Sequence, residues 1–219
     1  MLIIFDLDDT LIDTSGSITP IKLEHALIKM QASGLKLDSF SSSLSLLKRL
    51  NELAKTARDA LLEFAEMHDI EERYFELGVK ELYESDDLDI PIFPLEAALE
   101  LLAELKNMHQ LALVTIGKDL RQREKMKKAG IDSAIFSKII VTEEKNKKIH
   151  YQAIVEELGF AATDVIVCGD KISLDLSPAK ELGFKTVHIR FGRGKNNLEP
   201  KEDVDYSISS LAEIKNIIK

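Results

Sequence analysis

The sequence predicts an α/β fold: a doubly wound, mainly parallel sheet core of the Rossmannoid kind, interrupted near its start by a block of helices. Three observations predict it. An unbroken apolar run, Leu2-Ile3-Ile4-Phe5, stops abruptly at Asp6-Leu7-Asp8-Asp9-Thr10. From Ile90 onward, short apolar runs alternate with amphipathic stretches. Between Ser15 and Leu88 the apolar residues recur only at helical spacing.

The opening run has no polar alternation, which fits a strand buried on both faces of a parallel sheet. Asp6, Asp8 and Asp9 follow it directly. Like charges at that range raise one another's pKa unless a cation sits among them. In open α/β sheets ligands bind outside the carboxyl ends of the strands, where these acids fall. Asp6 and Asp8 share a face on an extended backbone, and a hard divalent ion such as Mg²⁺ would neutralise them. Taken alone, the run also reads as a polar turn with Asp9 or Thr10 as a helix N-cap. Its place after the first strand, with partner motifs following in order, favours a site.

Next comes the helical block. Ser15-Gly16-Ser17 is a loop signal and Pro20 suits a first helical turn. Leu23, Ala26, Leu27 and Met30 predict a helix over 21–30. Ser39–Ser45 reads as a loop or capping stretch. One long helix is expected over 44–67, through Leu47, Leu50, Leu53, Ala57, Ala60, Leu61 and Phe64, and another over 70–83. A strandless insertion of roughly seventy residues is too long for a connecting loop and is best read as a cap domain. The plainer reading has these helices packing on the sheet as extra core elements. The expected division is therefore 1–14 with 90–219 as the core and 15–89 as the helical cap.

Pro91 and Pro94 punctuate the return to the core. A helix is expected over 95–106, then a buried strand 111–114 ending at Thr115, with Gly117 in a turn. A basic helix over 120–129 closes at Gly130, a usual C-terminal cap. Strand 139–141, a lysine-heavy stretch over 143–148 and a helix over 149–158 follow. Val165-Ile166-Val167-Cys168 is a buried strand leading into Gly169-Asp170. A helix through Ala179 and Leu182, strand 186–189, a short edge strand 205–208 and a helix over 211–218 complete the chain.

At 219 residues and 45% hydrophobic content, the chain can bury a core domain plus a smaller one. Its net charge of −9, from 29 basic and 38 acidic residues, argues against a nucleic-acid backbone as a partner. No apolar run approaches the ~18–20 residues that cross a bilayer, so no membrane partner is expected. The first residues already read as a strand rather than a basic leader. The lone Cys168 excludes a disulfide framework within the chain, and a cytoplasmic location is the expectation. Oligomeric state leaves no mark in the sequence.

The polar strand ends bring a hydroxyl, an amine and a set of carboxylates to one edge of the sheet. That is the combination that phosphoryl transfer needs. DLDDT at Asp6–Thr10, the strand LALVT ending at Thr115, a lysine ahead of a tyrosine-containing helix, and GDKISLD at Gly169–Asp175 occur in this order. In these residues the chain resembles the haloacid dehalogenase-like (HAD) hydrolase superfamily. The likeness is to the phosphoglycolate phosphatase-like branch, which carries a helical cap inserted after the first strand. The resemblance covers about two thirds of the chain.

The resemblance implies an Mg²⁺-dependent phosphatase acting on a small phosphorylated metabolite through an aspartyl-phosphate. It makes Asp6 the nucleophile and Asp8 the general acid/base. Mg²⁺ would be held by Asp6, Asp170 and the backbone carbonyl of Asp8, with Asp175 direct or through water. Thr115 would hydrogen-bond the phosphoryl group and a lysine would stabilise its charge. Counting back from Tyr151 favours Lys145 for that lysine, with Lys147 and Lys148 close by.

Ile116 stands where relatives often carry Asn, and Lys171 stands where a small polar residue is common. Lys171 reads as a solvent-edge feature. Cys168 reads as a buried small hydrophobe, the five histidines show no metal-ligand spacing, and Arg190–Lys195 reads as a solvated loop. A phosphomutase using the same intermediate and a non-catalytic binding protein on the same fold are the alternatives. Dehalogenation is disfavoured because Asp8 is present. Phosphoglycolate, sugar phosphates, nucleoside monophosphates and pyridoxal phosphate all fit as substrates, the choice resting with the cap.

Overall fold

β1 (Leu2–Phe5) lies in the middle of a six-stranded sheet, and each of its side chains is fully buried. The computed structural model describes residues 1–85 and 90–218. The chain divides into two units: Met1–Asp13 with Ile92–Lys219, and Thr14–Pro91. The expected boundary at Asp89 lies outside the described residues.

The first unit holds the sheet. Its other strands are β2 (Gln110–Ile116), β3 (Lys138–Thr142), β4 (Val165–Gly169), β5 (Lys185–Ile189) and β6 (Tyr206–Ile208). Their order is β3-β2-β1-β4-β5-β6 and every pairing is parallel. The chain winds outward from β1 to β3, then resumes at β4 on β1's other side. That reversal opens a crevice outside the carboxyl ends of β1 and β4.

Leu2 and Ile4 pack with Tyr151, Ile154 and Ala179 on one face, and Ile3 and Phe5 are fully buried on the other. Burial of both faces is why the strand sequence is continuously apolar. The helices of this unit are numbered after the four in the insertion: α5 (Ala98–Leu105), α6 (Asp119–Lys128), α7 (Lys148–Leu158), α8 (Ser177–Lys180) and α9 (Ile214–Ile217). The expected helix through Leu182 is shorter: α8 ends at Lys180, and the Leu182 and Gly183 N–H groups donate to the Ala179 and Lys180 carbonyls in a closing turn.

The second unit is helical: α1 (Thr19–Ala32), α2 (Phe40–Leu53), α3 (Ala57–Met67) and α4 (Glu72–Glu84). The single long helix expected over 44–67 is two. Thr56 is extended, and its hydroxyl accepts from the Asp59 N–H at 3.1 Å, capping α3 where the apolar spacing continues unbroken. Ser39 caps α2 in the same way, so Ser41–Ser43 lie inside the helix rather than in a loop. Leu23, Leu27 and Met30 of α1, Leu47 of α2, Leu61 and Phe64 of α3 and Phe75 of α4 form this unit's own core. Among the described residues no helix is long and apolar enough to cross a membrane.

Candidate active site

Register places the acidic residues. Phe5 is opposite both Leu113 of β2 and Cys168 of β4, so Asp6 and Asp170 emerge just past the ends of β1 and β4, level with Thr115 in the last rungs of β2's ladder. The Asp6 N–H still donates to the Cys168 carbonyl at 3.0 Å, the last rung before the chain turns. The Leu7 carbonyl then accepts from the N–H groups of Thr10, Leu11 and Ile12, and Asp9 is left-handed at φ 57°. This tight reversal is anchored by the fully buried Leu7, Leu11 and Ile12. It holds Asp6, Asp8 and Asp9 at the sheet edge.

Asp6, Asp170 and Asp175 are buried together, and one carboxylate oxygen from each lies within 4.8 Å of the others. Lys147 Nζ donates to Asp6 Oδ1 and to Asp175 Oδ1, both at 2.6 Å. The Lys171 N–H donates to Asp175 Oδ2 at 2.9 Å. Asp175 reaches the cluster because Gly169 lacks a side chain: a Cβ there would stand 2.5 Å from the Asp175 Cβ. Both carboxylate oxygens of Asp170 are buried with no hydrogen-bond partner. Its backbone is fixed instead, its carbonyl accepting from His188 Nε2–H at 3.1 Å. Buried carboxylate oxygens left without donors, beside two more carboxylates, fit a hard divalent cation.

Electrostatics follow from this crowding. Burial, above all, pushes Asp6 up to about 6; Lys147 pulls it back, while Asp175 and Asp8 push it further up. Asp170 is raised well above the carboxylate range, chiefly by burial, with Lys171 opposing and Asp175, Asp6 and Asp9 adding to it. Burial alone would lower Lys147, but Asp175 and Asp6 outweigh it and keep the ammonium charged.

Asp8 and Thr115 meet a second group of residues. Gln122 Nε2 donates to Asp8 Oδ2 at 2.8 Å and to Thr115 Oγ1 at 2.7 Å. Lys125 Nζ donates to Asp8 Oδ1 at 2.7 Å. Both donors come from α6, the helix after β2. Sequence reasoning missed them because this helix is polar almost throughout, so no apolar stripe marks which side faces inward. The available signal was their three-residue spacing on the helix directly after Thr115.

Of the residues expected at the site, Asp6, Asp8, Thr115, Asp170 and Asp175 come together at this edge. Lys145 does not: it is exposed, and Lys147, 1% exposed, takes the position. The physical reason is helical phase. Lys147 caps α7, its carbonyl accepts from the Tyr151 N–H at 3.0 Å, and one full turn puts it on the same buried side as Tyr151. Lys145 lies ahead of the helix, outside that phase.

One other expectation changes. Arg190–Lys195 is not simply a solvated loop. Gly192 at φ +50° lies against Asp9, where a Cβ would come 2.8 Å from its carboxyl carbon, and a Cβ on Gly194 would stand 3.1 Å from the Asp170 carbonyl. Lys171 is half-buried, as a side chain at a solvent edge can be. Burial lowers its pKa, but Asp170, Asp175 and Asp6 raise it further. Cys168 is fully buried, and burial pushes its thiol well up, as suits an inert small side chain.

A sheet with its acids in the switch-point crevice places an acidic, lysine-braced centre where ligands bind. The family model for haloacid dehalogenase-like hydrolases matches residues 1–183, and the chain belongs to that family. Its relatives include a glyceraldehyde 3-phosphate phosphatase of Methanocaldococcus jannaschii, 29% identical, spanning 99% of this chain and 96% of that protein. Another of that description, from Pyrococcus furiosus, is 26% identical and spans 100% of this chain and 92% of that protein. Among solved structures, YfnB from Bacillus subtilis, bound to magnesium, covers 100% of this chain and 98% of its own at a TM-score of 0.68 and 21% identity.

Proposed function

We propose that the protein is a phosphatase that hydrolyses a small phosphorylated metabolite through an aspartyl-phosphate on Asp6. The observation that carries this reading is Lys147. It bridges Asp6 and Asp175 at 2.6 Å inside a cluster that also holds Asp170's undonated carboxylate. Such a centre can take both a cation and a phosphoryl group.

Asp6, Asp170, Asp175 and the Asp8 carbonyl would hold Mg²⁺, which would supply positive charge to offset that of the phosphoryl oxygens. An Asp6 carboxylate oxygen attacks phosphorus, and the bond from phosphorus to the leaving oxygen breaks. Asp8 gives that oxygen a proton, then takes one from the water that attacks the phosphorylated Asp6, releasing inorganic phosphate and restoring the carboxylate. Lys147 keeps Asp6 from being repelled by its neighbours and offsets charge on the transferring group. Thr115 donates its hydroxyl proton to a phosphoryl oxygen.

The relatives support a three-carbon sugar phosphate, with glyceraldehyde 3-phosphate the first compound to test. The helical unit, Thr14–Pro91, is proposed as the cap that selects the substrate. The lone, unpaired and buried cysteine supports a cytoplasmic location.

The test is release of inorganic phosphate from a panel of phosphomonoesters with Mg²⁺, by wild type and by Asp6→Asn. Wild type is expected to release it and the variant to be inactive. Normal turnover by Asp6→Asn would remove Asp6 as nucleophile and end this reading.

A further inference from the structure

Three oxygen acceptors surround one end of the Gln122 side chain: Asp8 Oδ2 at 2.8 Å, Thr115 Oγ1 at 2.7 Å and the Ile116 carbonyl at 3.4 Å. Only the amide nitrogen can stand there, since a carboxylate and a carbonyl accept but do not donate. Gln122 therefore spends its hydrogens on Asp8 and Thr115. Because Thr115 Oγ1 accepts from Gln122, its own hydrogen is left to be given to another group. Lys125, three residues on along the same helix side, holds the other Asp8 oxygen at 2.7 Å.

This placement is specified by packing as well as by charge. Gln122 is 1% exposed. Its Cγ and Cδ lie against Gly117, where an added Cβ would come within 3.1 Å of both. That glycine is also at φ +152°, a conformation that other residues rarely adopt. A buried amide and a buried ammonium are costly unless satisfied, and here the groups that satisfy them are Asp8 and Thr115.

We infer that Gln122 and Lys125 are positioning residues for hydrolysis: together they hold the Asp8 carboxylate toward the leaving group and turn the Thr115 hydroxyl toward the phosphoryl group. The inference rests on the phosphatase reading given above. Both residues bond only to protein groups, Gln122 to Asp8, Thr115 and the Ile116 carbonyl and Lys125 to Asp8, so they act on the substrate through Asp8 and Thr115.

The experiment compares kcat/KM for two kinds of ester. 4-Nitrophenyl phosphate releases a weakly basic phenolate that needs little protonation. An alkyl phosphate, glyceraldehyde 3-phosphate or the best-hydrolysed sugar phosphate in its place, releases an alkoxide that needs a proton from Asp8. In Lys125→Met and Gln122→Met the ratio of alkyl to nitrophenyl kcat/KM is expected to fall roughly tenfold or more. Lys125→Arg is expected to restore most of it. A misfolded fraction lowers both values equally and leaves the ratio unmoved. A ratio within about twofold of wild type in both variants overturns the inference while leaving the phosphatase reading standing. If wild type hydrolyses neither ester with Mg²⁺, the phosphatase reading falls, and the inference with it.

Discussion

Lys147 Nζ lies 2.6 Å from Asp6 Oδ1, though 141 positions separate the two residues. Both are buried, and the same ammonium reaches Asp175 at 2.6 Å. Removing it would leave two buried carboxylates facing each other. Lys147→Met is therefore expected to cost about 3–5 kcal/mol of stability in the metal-free protein and at least ~100-fold in phosphatase kcat. Lys145→Met, on an exposed side chain, is expected to change both little. Denaturant titration and steady-state kinetics on the two variants check this, and a larger effect at 145 would refute the assignment.

Gly169→Ala is expected to eject Asp175 from the cluster. The new Cβ would meet the Asp175 Cβ at 2.5 Å, a contact that no side-chain rotation relieves. Metal affinity should fall by roughly 10–100-fold, as when a ligand's support is removed. Calorimetric titration of Mg²⁺ into wild type and variant measures it.

Asp6 gives the metal-free protein a pH dependence. Its folded pKa is about 6 against 3.8 for the free side chain, chiefly through burial. Between those values the folded chain binds more protons than the unfolded one, so stability falls as pH rises through that window. The contribution is full below about pH 4, lost above about pH 6, and on the order of 1–3 kcal/mol. Asp6→Asn should flatten this slope relative to wild type. Added Mg²⁺ should stabilise wild type at pH 7.5 and much less at pH 5, where protons compete for the same carboxylates. Melting temperatures across pH, with chelator or with Mg²⁺, test both signs.

Phe64→Ala should destabilise the helical unit. Phe64 is fully buried among Leu23, Leu27, Leu61 and Phe75, and truncating such a side chain costs about 3–5 kcal/mol. Denaturant unfolding followed by far-ultraviolet circular dichroism reads the loss, and a cost below about 1 kcal/mol would contradict a separate core in this unit.

Much of this protein is legible without coordinates, because its information is local. A continuous apolar run ending in acids marks β1 and the edge where a ligand would bind. Alternation of short apolar runs with amphipathic stretches marks the parallel sheet. Asp6, Asp8, Thr115, Asp170 and Asp175 can be named because they lie at or near the ends of β1, β2 and β4, which a parallel sheet brings to one edge, and because the family resemblance gives those positions their roles. Even the break between α2 and α3 left a sign, since Thr56 and Asp59 have capping spacing. Apolar periodicity alone ran straight through it.

Tertiary structure alone decided which side chains reach one another across elements. Lys147 rather than Lys145 meets Asp6 because the phase of α7, set by the burial of Tyr151, turns one lysine inward and leaves the other in solvent. Gln122 and Lys125 meet Asp8 because the polar helix α6 packs with that side toward the sheet edge. Gly192 meets Asp9 because the loop after β5 folds back over the first turn. Strand character and strand ends depend on neighbours in sequence. Helix phase and loop return depend on packing summed over the whole unit, and no local pattern carries that sum.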